Sequence, residues 1–261
     1  MIRELWLPAA EVARTAVPGQ FVMVEGGPHR ITRRPFSVSG VDRERGLIRL
    51  LVRVSGPASE WLAALAPGAQ VGLHGPQGRG FALPPAGSAV WLVGGGIGTA
   101  PLLFLAGWLR EAGSGVWAAL GGRTAADLPG LEELRRLGVE VAVATEDGSA
   151  GLPGLVTAPV EQRLAAGGPP PAAVYACGPR GMLVAVARQV LGFGLRCQVS
   201  VEERMACGVG ACAGCAWPDG RLAPDLALRP IGLSSGAPGE GGRGGPLRVC
   251  RDGPCFEVVK A

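Results

Sequence analysis

The sequence predicts an α/β protein with an added all-β part. An antiparallel barrel spans residues 1–83, a parallel-sheet α/β domain residues 84–196, and a small cysteine-rich module residues 197–261. Three observations predict this. Short strand-like runs between Pro and Gly fill the first part. From Ala89 strands and helices alternate, the pattern of a parallel sheet covered by helices. Five of the seven cysteines lie in the last 55 residues.

In the first part, Gln20–Val24 and Leu47–Val54 have the β-branched, alternating character of strands. Arg49 and Arg53 fall on one face of the second run, because strand side chains alternate with period two. Several such runs at short spacing suggest a small barrel. One helix interrupts it from Ala58 to Leu65, ended by Pro67-Gly68.

In the second part the strands are Val90–Val93, Val116–Leu120, Val139–Ala144 and Val174–Ala176. The helices are Pro101–Arg110, Leu131–Leu137, Val156–Ala165 and Gly181–Leu191. Residues 224–246 are rich in Gly, Ser and Pro and read as a flexible insertion.

Composition excludes several functions. Aromatic residues make up 5% and the formal charge is +4, which argues against a stacking groove for single strands or a DNA footprint. The uncharged stretch Ser88–Leu109 is long enough to span a bilayer, but the glycine run Gly94–Gly98 breaks it into strand, loop and helix. The first residues carry Glu4 and no long apolar core, unlike a signal peptide. The expectation is a soluble, cytoplasmic protein that binds neither nucleic acid nor membrane. An odd cysteine count without a secretory signal also argues against a disulfide framework.

The cysteine-rich run reads Cys207-Gly208-Val209-Gly210-Ala211-Cys212-Ala213-Gly214-Cys215. C-x4-C-x2-C with a distant fourth cysteine is the plant-type [2Fe–2S] spacing. The loop must wrap a compact cluster with backbone N–H groups turned toward sulfur, and its glycines permit that approach. A zinc-binding module is the alternative of a different class, but zinc ribbons need a second C-x2-C pair, which this sequence does not supply. Spacing leaves Cys250 and Cys255 both open as the fourth ligand. Cys177 and Cys197 read as buried apolar thiols.

Three further stretches point to cofactors. Arg34 could pair with a pyrophosphate, while Pro35 holds the chain extended so that Phe36 and Ser37 face a flat ring such as a flavin. Gly56-Pro57-Ala58-Ser59 opens a helix whose free N–H groups suit a phosphate, or which Ser59 merely caps. Gly94, Gly96, Gly98 and Thr99 form a glycine loop between a strand and a helix, the context that makes such a loop credible for a dinucleotide. The acidic ribose partner expected one strand later is missing, and Gly121-Gly122-Arg123 stands there instead, so this rule does not separate NAD from NADP. Cys177, Gly178 and Pro179 lie at another strand's C-terminal end, where α/β sheets bind ligands, and Cys177 reads equally as nicotinamide-facing or as packed.

Together Arg34–Ser37, Gly94–Pro101 and Cys177–Pro179 resemble the ferredoxin–NADP reductase superfamily. With Cys207–Cys215 and Cys250-Arg251-Asp252-Gly253-Pro254, nearly the whole chain resembles the electron-transfer subunits of dihydroorotate dehydrogenase B. The resemblance implies FAD in the barrel domain, NAD in the α/β domain, and a [2Fe–2S] cluster facing an FMN-containing catalytic subunit in a heterotetramer. It implies that Arg34, Pro35, Phe36, Ser37, Leu51, Val52, Arg53, Ala58 and Ser59 contact FAD. It also implies that Cys207, Cys212, Cys215 and Cys250 hold the cluster. No acid, base or nucleophile for dihydroorotate is identifiable here, which fits an accessory role in pyrimidine biosynthesis. Subunits of hydrogenases, transhydrogenases or ferredoxin:NAD(P)H oxidoreductases share most of these motifs. Four departures stand out. Ala58-Ser59 replaces the usual Gly-Thr, Cys255 replaces an apolar residue, the stretch before Cys250 is long, and the first strand starts short at Met1.

Overall fold

The computed structural model describes residues 1–28, 31–232 and 246–261. Its first part contains β1 (Ile2–Pro8), α1 (Ala10–Thr15), β2 (Phe21–Val24), β3 (Arg34–Asp42), β4 (Leu47–Arg53), α2 (Pro57–Ala63) and β5 (Leu73–Gln77). The strands form one antiparallel sheet in the order β1-β4-β3-β2-β5. β1 pairs with β4 from Ile2↔Arg53 to Pro8↔Leu47.

Period two gives these strands two different faces. On β4, Ile48, Leu50 and Val52 enter the barrel core with Val22, Val24 and Val38. Arg49, Leu51 and Arg53 point the other way, toward the second domain. On β2, Val22 and Val24 fill the barrel, while Phe21 and Met23 pack into the core shared with the cysteine-rich module.

The second part runs β6 (Ala89–Gly95), α3 (Thr99–Glu111), β7 (Gly115–Gly122), α4 (Leu131–Arg136), β8 (Glu140–Thr145), β9 (Leu152–Pro153), α5 (Thr157–Ala165), β10 (Ala173–Cys177), α6 (Arg180–Gly192) and β11 (Cys197–Ser200). The third adds β12 (Ala216–Trp217), β13 (Arg221–Ala223), β14 (Leu226–Pro230), β15 (Leu247–Arg248), α7 (Val249–Asp252) and β16 (Cys255–Lys260).

One sheet joins these two parts, in the order β13-β14-β16-β11-β10-β6-β7-β8-β9. It is parallel from β11 to β9 and antiparallel from β11 through β16 to β14 and β13. The sheet therefore runs straight past residue 196, and the last strand of the chain returns into it. Leu226–Pro230, inside the stretch read as a flexible insertion, is a strand with four of its five residues buried. A short apolar run, Leu226-Ala227-Leu228, seats it beside β16 within a glycine-rich stretch. The rest of that stretch, residues 233–245, lies outside the described residues.

An ion pair clamps barrel to sheet domain. Arg49, 8% exposed, donates to Glu133 Oε1 at 2.7 Å and Oε2 at 2.8 Å, and to the Ser39 carbonyl at 2.7 Å. Its guanidinium also lies over Trp6, with Glu4 at 3.7 Å. Removing one partner of such a pair strands a poorly solvated charge, which is costly. Glu133→Ala is expected to lower unfolding stability by about 1–3 kcal/mol, less than for a fully buried pair because Glu4 remains nearby. Denaturant unfolding measures this, and an unchanged midpoint would show that the clamp carries no weight.

Candidate functional site

The cysteine loop leaves the end of β11 and returns through α7 to β16. Its positive φ values, +73° at Gly208 and +80° at Gly210, curl the backbone inward. A side chain at Gly208 would run into Met23 of the barrel, so glycine is required for the loop to lie against β2. Backbone N–H groups point at sulfur. Val209 and Cys212 donate to Cys207 Sγ at 3.4 and 3.5 Å, Gly210 to Cys250 Sγ at 3.1 Å, Gly214 to Cys212 Sγ at 3.4 Å, and Cys250 to Cys215 Sγ at 3.4 Å.

These donors favour thiolates. The backbone N–H of Cys212 leads in lowering Cys207 to about 6, whereas burial pushes the Cys250 thiol up to about 12. A buried thiol of that kind becomes a good ligand only when a cation offsets its charge. All four sulfurs, of Cys207, Cys212, Cys215 and Cys250, accept a backbone N–H. Plant-type spacing with amides turned onto every sulfur is the arrangement that carries a [2Fe–2S] cluster. The residues therefore fit a [2Fe–2S] cluster.

Cys255 is elsewhere. It starts β16, is fully buried, and donates through Sγ to the Gly19 carbonyl at 3.6 Å. Burial raises its thiol well above the ordinary range, as it does those of Cys177 and Cys197. These three remain protonated packing residues.

A cavity of ≈ 240 Å³ lies between barrel, sheet and cysteine loop. Pro35, Phe36, Ser37, Leu51 and Arg53 line it from the barrel side. Four other residues anticipated for FAD do not. Val52 points into the barrel core. Arg34 is half-buried and donates to Thr32 Oγ1 at 2.7 Å, turned onto its own strand end. Ser59 Oγ accepts from the N–H groups of Ser55 and Gly56 at 2.9 and 3.1 Å, capping α2, and neither it nor Ala58 reaches the wall. The opposite wall, Ser200 to Glu203 with Met205, was not anticipated. It is the segment between β11 and Cys207. Trp217 Nε1 fixes Glu203 there by donating to Oε2 at 2.7 Å.

A larger cavity of ≈ 380 Å³ opens at the C-terminal edge of the parallel sheet, where α/β sheets bind ligands. Gly96 and Pro179 line it; Gly94, Gly98, Thr99, Cys177 and Gly178 lie behind the wall. Thr99 Oγ1 donates to the Gly96 carbonyl at 3.0 Å and tightens the loop. A Cβ on Gly98 would stand 2.5 Å from the Cys177 carbonyl oxygen, so glycine lets the loop close on the Cys177-Gly178 turn. Arg53 and Ile97 line both cavities, which are therefore neighbours.

Comparison with known proteins agrees with this geometry. Residues 2–81 match the model for the oxidoreductase FAD-binding domain. Residues 202–222 match that for the iron-sulfur cluster binding domain of dihydroorotate dehydrogenase B. The electron transfer subunit of dihydroorotate dehydrogenase B (NAD(+)) from Desulforamulus reducens is 40% identical over 80% of this chain and 79% of its own length. The chain belongs to that family. Its counterpart from Caldanaerobacter subterraneus is 37% identical over 92% of this chain and 84% of its own. Among solved structures, one from work on flavin-based electron bifurcation by an NADH-dependent reduced ferredoxin-NADP oxidoreductase superposes with a TM-score of 0.79. It is 28% identical and is matched over 99% of this chain and 85% of that one. As a member of the family the chain is an oxidoreductase subunit with an FAD-binding domain and a cluster-binding domain. No helix among the described residues is long and apolar enough to cross a membrane.

Because Gly98 touches backbone on the opposing turn, Gly98→Ala must displace the glycine loop. NADH is expected to bleach the flavin at least about tenfold more slowly, with flavin content unchanged. An unaltered rate in anaerobic stopped-flow would show that this contact does not position the coenzyme.

Proposed function

We propose that the chain is the electron-transfer subunit of an NAD-dependent dihydroorotate dehydrogenase, working with a separate FMN-bearing catalytic subunit in a cytoplasmic heterotetramer. One observation carries the reading: the segment Ser200–Met205 lines the smaller cavity and runs directly into Cys207, while Arg53 and Ile97 join that cavity to the dinucleotide edge. A cluster, a flavin and a nicotinamide would then stand in sequence across one protein.

When bound, the cluster passes single electrons, and the flavin collects two and gives a hydride to NAD+. The chain's own part is to hold and orient. Cys207, Cys212, Cys215 and Cys250 are proposed as the cluster ligands, with the loop N–H groups supplying hydrogen bonds that stabilise negative charge on sulfur. Pro35, Phe36 and Ser37 would bound one side of the flavin ring, and Leu51 and Met205 would keep water from it. Arg34 would serve a pyrophosphate only after leaving Thr32, and Ala58-Ser59 only through backbone. Gly94 to Thr99 with Cys177–Pro179 would hold the dinucleotide so that its nicotinamide reaches the flavin. The cytoplasmic assignment is supported by seven free thiols, five of them buried.

Purification with the catalytic partner tests the reading. The complex is expected to contain FAD, FMN and two irons per cluster, and to form orotate with NAD+ only when both subunits are present. Oxidation of dihydroorotate by this chain alone would contradict it, as would a complex that is active with another electron donor but not with dihydroorotate. Within the chain, Cys250→Ser is expected to remove the cluster absorbance, while Cys255→Ser keeps it. The reverse result in iron and sulfide analysis would reassign the fourth ligand.

A further inference from the structure

In dinucleotide folds the strand after the glycine loop usually ends in the acidic residue that reads the adenosine ribose, and an arginine nearby accommodates a 2′-phosphate. Here that strand, β7, ends in Gly122 and is followed by Arg123. The sequence alone thus leaves the coenzyme open between NAD and NADP. The surrounding side chains separate the two.

Directly after β7 the chain folds into a 3-10 turn, Ala125–Asp127. The Thr124 hydroxyl caps it by accepting from the Ala126 N–H at 3.2 Å, and Ser149 Oγ accepts from the Ala125 N–H at 2.8 Å. The turn lies back over the strand end because Gly122 has no side chain: a Cβ there would meet the Asp127 Cβ at 2.9 Å. This carries Asp127 into the wall of the larger cavity, beside Gly121, Gly122 and Arg123. Its carboxylate Oδ2 lies 3.6 Å from Arg123 Nε, with the Arg123 side chain 79% exposed and that of Asp127 29%. Glu146 enters the same wall from the end of β8, tied to β7 by its N–H donating to the Gly122 carbonyl at 3.0 Å.

Two carboxylates therefore flank the place where β7 ends, and Arg123 beside them is already engaged. A ribose 2′-hydroxyl can donate to a carboxylate, whereas a 2′-phosphate would face two like charges. We infer that the Arg123–Asp127 ion pair sets coenzyme choice: Asp127, helped by Glu146, accepts from the adenosine 2′-hydroxyl and keeps Arg123 from serving a 2′-phosphate. The inference rests on the reading that this cavity takes the dinucleotide. It also describes a latent switch, because neutralising one carboxylate releases the arginine for a phosphate.

Competition binding on the flavin- and cluster-loaded protein tests this with two probes, 5′-AMP and adenosine 2′,5′-bisphosphate. The wild type is expected to bind 5′-AMP at least about tenfold more tightly than the bisphosphate. Asp127→Asn is expected to move that ratio about tenfold toward the bisphosphate, and NADH against NADPH dissociation constants should move in parallel. Adding Arg123→Ala to Asp127→Asn should abolish the gain. A wild type that prefers the bisphosphate overturns the inference. So does an unchanged ratio in Asp127→Asn, or a gain that survives loss of Arg123. Protein that binds neither probe contradicts the dinucleotide reading of the cavity itself, and the inference falls with it.

Discussion

The antiparallel pairing of β16 with β11 is the constraint on which the rest depends. β11 ends the parallel run of the sheet, and β16 brings the chain terminus back beside it, with Ser200 facing Cys255 and Val199 facing Phe256. The ladder continues past the strands, since the Val201 N–H donates to the Pro254 carbonyl at 3.0 Å. The whole cysteine loop is thereby closed at its base by hydrogen bonds in the centre of the molecule. Fixing both ends of a loop removes much of its freedom before any metal binds. The loop can then be pressed onto Met23 of β2, so that the four loop-facing cysteines and the wall of the smaller cavity belong to one rigid junction.

That junction works because strands are two-sided. β2 and β4 each give alternate residues to the barrel interior and the remaining ones to neighbours outside it. On β4 the outward row is Arg49, Leu51 and Arg53: a clamp to α4, a wall residue of the smaller cavity, and a residue shared by the two cavities. A slip of one residue in this register would bury two arginines and expose the barrel core. Fold and site are therefore specified by the same alternation, and the interdomain ion pair stabilises the geometry that sets the two cavities side by side.

Much of this is legible in sequence because the signals are local. A buried strand, a glycine loop and a helix follow one another in Ala89–Glu111, and the cysteine spacing describes a loop of fixed size. What escapes is set by contacts between distant segments. Arg34 and Ser59 carry the right chemistry, yet the nearest partners of both lie within four residues along the chain, the Thr32 hydroxyl for Arg34 and backbone N–H groups for Ser59, and these compete with a ligand for the same atoms. The Ser200–Met205 wall has no motif, since it faces the smaller cavity only after β11 pairs with β16. Asp127 lies five residues beyond the strand end where an acidic residue is sought, and only the missing side chain of Gly122 brings it back. β14 was hidden by the glycine-rich composition around it, although four of its own five residues are buried.

The central claim is that flavin and cluster share one protein as neighbours in a wire. Rapid mixing of the loaded chain with NADH under anaerobic conditions, followed at flavin and cluster wavelengths and by low-temperature EPR of frozen samples, tests it most directly. The account predicts that the cluster is reduced after the flavin at a rate independent of protein concentration, as transfer within one molecule requires. A cluster that stays oxidised while the flavin is fully reduced, or whose reduction rate rises in proportion to protein concentration, would contradict it.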